Sequence, residues 1–335
     1  MPTALPTTKI SAVGAYVPPH ILTNDQLSCM VETNDAWIQE RTGIRERRIA
    51  AAHVATSDLA LAAAQDALAR RGIAPTEIGA IILCTVTPDN MFPSTACTVQ
   101  NALGATGAWG FDLSAACSGF LYGLTVGVHL VSGGAHRYVL VLGADTMSRI
   151  IDYTDRSTCI LFGDGGGAFL LEPSADAETE GGYIGHLNEI DGSGAPYLNM
   201  PAGGSRMPAS LETVEKRLHF VKQEGQHVFK YAVKKMAELS EALLAKHNMT
   251  PADVKMLIPH QANRRIIVAT AERLGIPLER VMINLDKFGN TTAATIPLAA
   301  NDALATGRLK KGDLVLFAAV GAGYTAGASL WRWAF

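Results

Sequence analysis

The feature that most constrains this chain is an internal echo. APTEIGAIILCT begins its pattern at Pro75 and TPADVKMLIPH begins its pattern at Pro251, 176 residues apart. In each, proline is followed two places on by an acid, then by a β-branched residue and an apolar strand. At nearly the same offset YVLVLGAD matches DLVLFAAV, and the run holding Cys117 falls opposite the run holding Asn290. Both halves close on glycine-rich turns between strands, FGDGGGAF and VGAGYTAGAS. Self-similarity at a fixed offset is the mark of a duplicated unit. It predicts two similar halves, residues 1–175 and 176–335, with 176–215 as an irregular connector rich in Gly, Pro and Ser.

Strand-like and helix-like runs alternate along both halves, which predicts an α/β chain with buried sheets. Apolar strands are expected at Lys9–Val17, Ile78–Thr85, Trp109–Leu113, Tyr138–Leu142, Met256–Ile258, Val281–Asn284 and Asp313–Ala318. Helices are expected at Ser57–Arg71, Thr95–Leu103, Cys117–Ser132, Gly225–His247, Asn263–Leu274 and Ala293–Thr306, several of them followed by glycine.

Composition narrows the function. With 48% hydrophobic and 18% charged residues, 335 positions suffice for a large core. A formal net charge of −3 gives no general attraction to nucleic acid or an anionic membrane. The N-terminal stretch lacks an apolar signal-peptide core. No apolar run reaches membrane-spanning length without glycine or charge. The five cysteines, Cys29, Cys84, Cys97, Cys117 and Cys159, include no CxxC pair, which argues against a zinc site or a disulfide framework. Free thiols point to a reducing cytoplasm.

Three stretches carry the candidate chemistry. DLSAACSGFLYGL places Cys117 where a strand turns into a helix, where unpaired backbone N–H groups and the helix dipole favour a thiolate. The bland alternative is a small buried cysteine. The other four cysteines sit within strand or helix patterns and read as packing. LIPHQANRRII puts His260 at a strand end, the usual place for ligands in α/β sheets, although a lone histidine is more often a surface or capped residue. LDKFGNTTAAT puts Asn290 at another strand-to-helix turn. There it serves as an N-cap, or its amide donates to an oxyanion. The glycine runs lack a phosphate-loop lysine and a dinucleotide fingerprint.

Together the motifs NDAWIQERTGIRERRIA, MFPSTAC, AACSGF, DRSTCILFGDGGGA, GQHVFKYAV, PHQANRRII, KFGNTTAAT and VGAGYTAGAS resemble the β-ketoacyl-acyl carrier protein synthase III family, nearly end to end. The resemblance implies the thiolase-like fold, two duplicated α/β halves in a five-layer αβαβα arrangement. It implies an acyltransferase that condenses an acyl-CoA primer with malonyl-acyl carrier protein and so starts type II fatty acid synthesis, with acetyl-CoA as the expected primer. By position, Cys117 would carry the acyl group, and His260 and Asn290 would hold the malonyl thioester oxygen during decarboxylation. Backbone N–H groups of Cys117 and Ala322 would form the oxyanion hole. Trp37, Arg41 and Arg156 would bind CoA, with adenine between Trp37 and Arg156. Met147 and Phe162 would line the acyl pocket, with Phe92 reaching in from a partner subunit of a homodimer. Lys230, Arg264 and Arg265 would receive the carrier protein, Arg264 being better read as a solvated charge. No metal and no permanently bound cofactor is implied; the CoA thioester is a substrate. The turn reads GAG at 321–323 where many members have GGG, and Gln226 stands where a typical member has Asn.

The same triad serves relatives that prime polyketides, make quinolone-type signals or transfer acyl groups to alcohols or amines. A Cys-His-Asn hydrolase of the papain kind is a different class, but no papain-like sequence surrounds Cys117. A non-catalytic binding member is the remaining alternative.

Overall fold

The computed structural model describes residues 7–335. Two sheets form its frame. The first has five strands in the spatial order Thr7–Tyr16, Gly165–Ser174, Val139–Asp145, Ala80–Cys84, Trp109–Leu113. The second has four, in the order Met256–Pro259, Leu314–Gly321, Thr325–Arg332, Gly182–Ile190.

The pairing repeats between the sheets. Ala80–Cys84 runs parallel to Val139–Asp145, which pairs antiparallel with Gly165–Ser174 and that in turn with Thr7–Tyr16. Met256–Pro259, Leu314–Gly321, Thr325–Arg332 and Gly182–Ile190 follow the same sequence of senses. The counterpart of Trp109–Leu113 is reduced to one parallel bridge, Leu257 to Val281. The strand expected at Val281–Asn284 is therefore only a bridge. The stretch read as irregular holds the nine-residue strand Gly182–Ile190, which completes the second sheet. Its Gly, His and Asn hid the strand, which is mostly half-buried and lacks a continuous apolar run.

Three helical layers complete an αβαβα stack. Outside the first sheet lie Thr56–Arg71 and Thr95–Leu103; outside the second lie Gly225–Lys246 and Arg264–Leu274. Gly119–Ser132 and Thr295–Ala305 are buried between the sheets. Gly119–Ser132 is apolar almost all round because both its faces meet a sheet. Thr56–Arg71 shows the opposite need. Its alanines let it press onto the sheet so closely that a Cβ at Gly14 would lie 2.0 Å from the Ala63 carbonyl oxygen.

The central layer joins the two sheets through aromatic contacts. Phe169 of the first sheet meets Phe120 at 5.0 Å and Phe317 of the second at 5.8 Å between ring centroids. Each such pair is worth about 0.5–1.5 kcal/mol beyond its buried area. Among the described residues no helix is long and apolar enough to cross a membrane.

Candidate active site

Both inner helices begin with the same unusual turn. A one-turn 3-10 segment, Ala116–Ser118, leads into Gly119–Ser132, and another, Thr292–Ala294, leads into Thr295–Ala305. Ala116 has φ 47° and Thr292 has φ 49°, left-handed values that L-residues avoid. The two residues are again 176 positions apart. Cys117 stands in the first turn and Asn290 just before the second.

These turns face each other across a cavity of about 290 Å³. Cys117, His260 and Asn290 all line it, with Phe162, Arg41, Phe229 and Gly321. His260 follows the strand Met256–Pro259, and its backbone N–H is fixed to the Ala318 carbonyl at 2.8 Å. Asn290 is anchored by a parallel bridge to Phe162. Its Oδ1 accepts from the Thr292 backbone N–H at 2.8 Å. That orients the amide so that its NH2 end is the donor left for the site. Asn290 and Cys117 line the same cavity.

The protonation states depart from the expectation for a cysteine at a helix start. Burial pushes the Cys117 thiol up to about 12, and the charge of Asp145 adds to this. The Asn290 amide pulls the other way without prevailing. Burial also pushes His260 down to about 3. At neutral pH the pair is a thiol and a neutral imidazole, not an ion pair. The helix dipole is outweighed because Cys117 precedes the regular helix and is only 6% exposed.

Asp145, which sequence reading passed over, ends the strand Val139–Asp145 and is fully buried. One oxygen accepts from Thr85 Oγ1 at 2.9 Å, the Val86 N–H at 2.8 Å and Thr87 Oγ1 at 3.1 Å. The other accepts from Thr292 Oγ1 and from the Ala293 N–H at 3.3 Å. Burial raises its pKa, and these donors oppose the rise. Only its position after a strand marked it in sequence, and buried aspartates share that with many others.

The turn 321–324 closes over Cys117. The hydroxyl of Thr325 donates to the Ala115 carbonyl at 3.0 Å, and that of Ser118 donates to the Thr325 carbonyl at 3.0 Å. A Cβ on Gly321 would lie 2.8 Å from the Cys117 backbone nitrogen. Ala322 and Cys117 share a second, apolar cavity of about 140 Å³ with Val86, Met147, Ile150 and Phe162.

The remaining sequence candidates fall in distinct places. Arg41 and Arg156 both lie over the Trp37 ring, at 5.4 and 4.9 Å from its centroid. A base held between Trp37 and Arg156 needs about 7 Å, two stacking distances, so Arg156 must swing aside first. Phe92 does not line the apolar cavity beside Met147 and Phe162 and is 85% exposed beside Met91. Lys230, Arg264 and Arg265 are exposed, with Arg265 over Phe229 at 5.6 Å. All five cysteines are free. The packing reading fits buried Cys84 and Cys159 but not Cys29 and Cys97, which are exposed. Among the described residues no three His, Cys, Asp or Glu side chains cluster for a metal ion.

A doubled αβαβα fold with a buried cysteine facing His and Asn across its central cavity defines a condensing enzyme of the thiolase-like class. Models of 3-oxoacyl-[acyl-carrier-protein (ACP)] synthase III match residues 111–187, and those of its C-terminal part match residues 244–333. The β-ketoacyl-[acyl-carrier-protein] synthase III of Solibacter usitatus is 66% identical over 331 residues, 99% of this chain and 100% of that one. That of Koribacter versatilis is 56% identical over 333 residues, with 99% and 100% covered. The crystal structure of 3-oxoacyl-[acyl-carrier-protein] synthase III from Aquifex aeolicus superposes with a TM-score of 0.89 at 42% identity, covering 97% of this chain and 100% of that one. The chain belongs to the β-ketoacyl-[acyl-carrier-protein] synthase III family.

Proposed function

We propose that this enzyme condenses a short acyl-CoA, acetyl-CoA first, with malonyl-acyl carrier protein, giving 3-oxoacyl-acyl carrier protein, CO₂ and CoA at the start of type II fatty acid synthesis. The observation that carries the reading is the single cavity lined by Cys117, His260 and Asn290. In the first stage Cys117 sulfur bonds to the acyl carbon, the thioester bond to CoA breaks, and the thiol proton leaves on CoA. The oxyanion is held by the backbone N–H groups of Cys117 and Ala322. Malonyl-acyl carrier protein then enters. Its carboxylate leaves as CO₂, and the electron pair forms an enolate whose oxygen accepts from His260 Nε2–H and Asn290 Nδ2–H. The enolate carbon attacks the acyl carbon, and Cys117 leaves as a thiolate that regains a proton from solvent.

A neutral His260 suits the second stage, because an imidazolium would hand its proton to the carbanion. The groove past Trp37, Arg41 and Arg156 takes CoA, and the cavity beside Met147 and Phe162 takes the acyl chain. Phe92 and Met91, exposed on this chain, are read as reaching a second copy in a homodimer, each Phe92 closing its partner's acyl pocket. Lys230, Arg265 and Arg264 form the face for the acidic carrier protein. Residues 1–175 and 176–335 act as two halves around one site, and the enzyme works in the cytoplasm.

The test is direct. Purified protein with acetyl-CoA and malonyl-acyl carrier protein is expected to release CO₂ and form 3-oxobutanoyl-acyl carrier protein, and Cys117→Ala to do neither. An acyl-enzyme that never condenses with that carrier thioester refutes the reading.

A further inference from the structure

The amide of Asn290 is oriented from the other half of the molecule. The Asn290 backbone is held by the 161–163 segment: its N–H donates to the Leu161 carbonyl at 2.8 Å, and its carbonyl accepts from the Gly163 N–H at 3.1 Å. The side chain is held separately, by the 2.8 Å bond from the Thr292 N–H to Oδ1. Thr292 presents that N–H from a left-handed backbone, φ 49°, which a β-branched residue rarely adopts.

Asp145 supplies what keeps Thr292 in that conformation. The Thr292 hydroxyl and the Ala293 N–H, the latter at 3.3 Å, both donate to one carboxylate oxygen. The other oxygen is tied to Thr85, Val86 and Thr87, which follow the strand Ala80–Cys84. Each oxygen faces a backbone N–H, a group that can only donate, and the anion satisfies all five donors. Asp145, Thr292 and Asn290 are all buried. Asp145 lines neither cavity beside Cys117.

We propose that Asp145 is the positioning residue for Asn290: through Thr292 it fixes which way the amide faces, with Oδ1 on the turn and Nδ2 free for the site. Asp145 touches no substrate and acts only through this chain of bonds. Breaking the chain frees the amide while the bonds to Leu161 and Gly163 still hold the Asn290 backbone. The effect on catalysis rests on the reading that Asn290 donates to the malonyl thioester oxygen. It therefore falls on the condensation stage.

The test is a double-mutant cycle. Thr292→Val keeps the shape and loses the hydroxyl, Thr292→Ser keeps the hydroxyl, and Asp145→Asn sets an NH2 group against a backbone N–H. Each is made alone and together with Asn290→Ala. Condensation is read as CO₂ release when preformed acetyl-enzyme meets malonyl-acyl carrier protein, so that changes in acylation do not enter. Thr292→Val and Asp145→Asn alone are expected to lose about ten-fold or more (about 1.4 kcal/mol in the barrier), and Thr292→Ser to stay within about three-fold of wild type. Beside Asn290→Ala the same changes are expected to cost no more than about two-fold, since the amide they orient is gone. A merely structural role would cost as much in both backgrounds, and that result overturns the proposal. So does normal condensation by Thr292→Val and Asp145→Asn. If one of these does not fold, the other completes the cycle. If neither folds, crystals of the wild type decide: Asn290 Oδ1 turned away from the Thr292 N–H overturns the proposal, and Oδ1 on that N–H with Thr292 on Asp145 upholds it. If wild type never condenses, the reading of the reaction falls, and a crystal structure of Thr292→Val tests the tether by itself: a turned amide upholds it and an unmoved one overturns it.

Discussion

Burying a neutral histidine makes the fold sensitive to acid, and the size of the effect follows from the structure. His260 is 3% exposed, and burial pushes it down to about 3. In the unfolded chain a histidine titrates near 6.5. Between these values the unfolded state binds a proton that the folded state refuses, so stability rises with pH through this window and falls as acid is added. From pH 7.5 to pH 5.0 the loss assigned to His260 alone is about 2 kcal/mol. Asp145, whose pKa is raised, acts in the opposite sense, but it is common to wild type and variant and cancels in the difference. The assay is a pair of urea titrations at the two pH values for wild type and for His260→Gln, which cannot titrate. With an m-value of about 3 kcal/mol per M, the wild-type midpoint should drop by about 0.7 M more than that of the variant. Parallel losses in both proteins would refute the buried neutral imidazole and the donor role built on it.

Cys117→Ala should give no acyl adduct by mass spectrometry, whereas His260→Ala and Asn290→Ala should acylate normally and lose condensation by about a hundred-fold or more, as for removal of an oxyanion donor. Gly321→Ala should slow acylation more than ten-fold, on the order of the 1–3 kcal/mol cost of overpacking, since its Cβ would sit 2.7 Å from Thr325 Oγ1 and 2.8 Å from the Cys117 nitrogen. Acyl-enzyme rates and melting temperature read this out together. Arg156→Ala should raise KM for acyl-CoA several-fold with kcat little changed, because its contact is with Trp37 and not with the reacting atoms.

The frame was legible because duplication and buried parallel strands both leave strong patterns. AIILC and VLVLGAD are buried at every position, so their apolar runs read plainly. Gly182–Ile190 was not, since only its two glycines, Gly182 and Gly185, are buried and its apolar residues form no run. The cysteine, histidine and asparagine that the structure brings to one cavity were marked in sequence by their places at strand ends and by motif. Their protonation was not, because burial is a property of the assembled layers: the positive end of a helix suggested a thiolate, and desolvation reversed it. Asp145 escaped for a related reason. Its bond to Thr292 joins residues 147 positions apart in the chain, and no local pattern encodes such a pairing.

Those long-range bonds also account for how two strained turns persist at the centre of the molecule. A non-glycine residue at φ near +50° costs about 1–3 kcal/mol, and both Ala116 and Thr292 adopt it. At Thr292 the strain is offset by two bonds to a carboxylate, its own hydroxyl and the Ala293 N–H on Asp145, each worth about 1.5–3 kcal/mol. Ala116 has no polar side chain, so its turn is held from outside by Thr325 to Ala115 and by Ser118 to Thr325. Asp145 belongs to the first sheet and clamps the turn of the second half; Thr325 belongs to the second sheet and clamps the turn of the first. Each half thus holds the strained turn of the other. Cys117 and Asn290 are fixed relative to one another in their shared cavity only when both sheets are docked. That reciprocity places the cavity lined by Cys117, His260 and Asn290 where the two repeated turns meet.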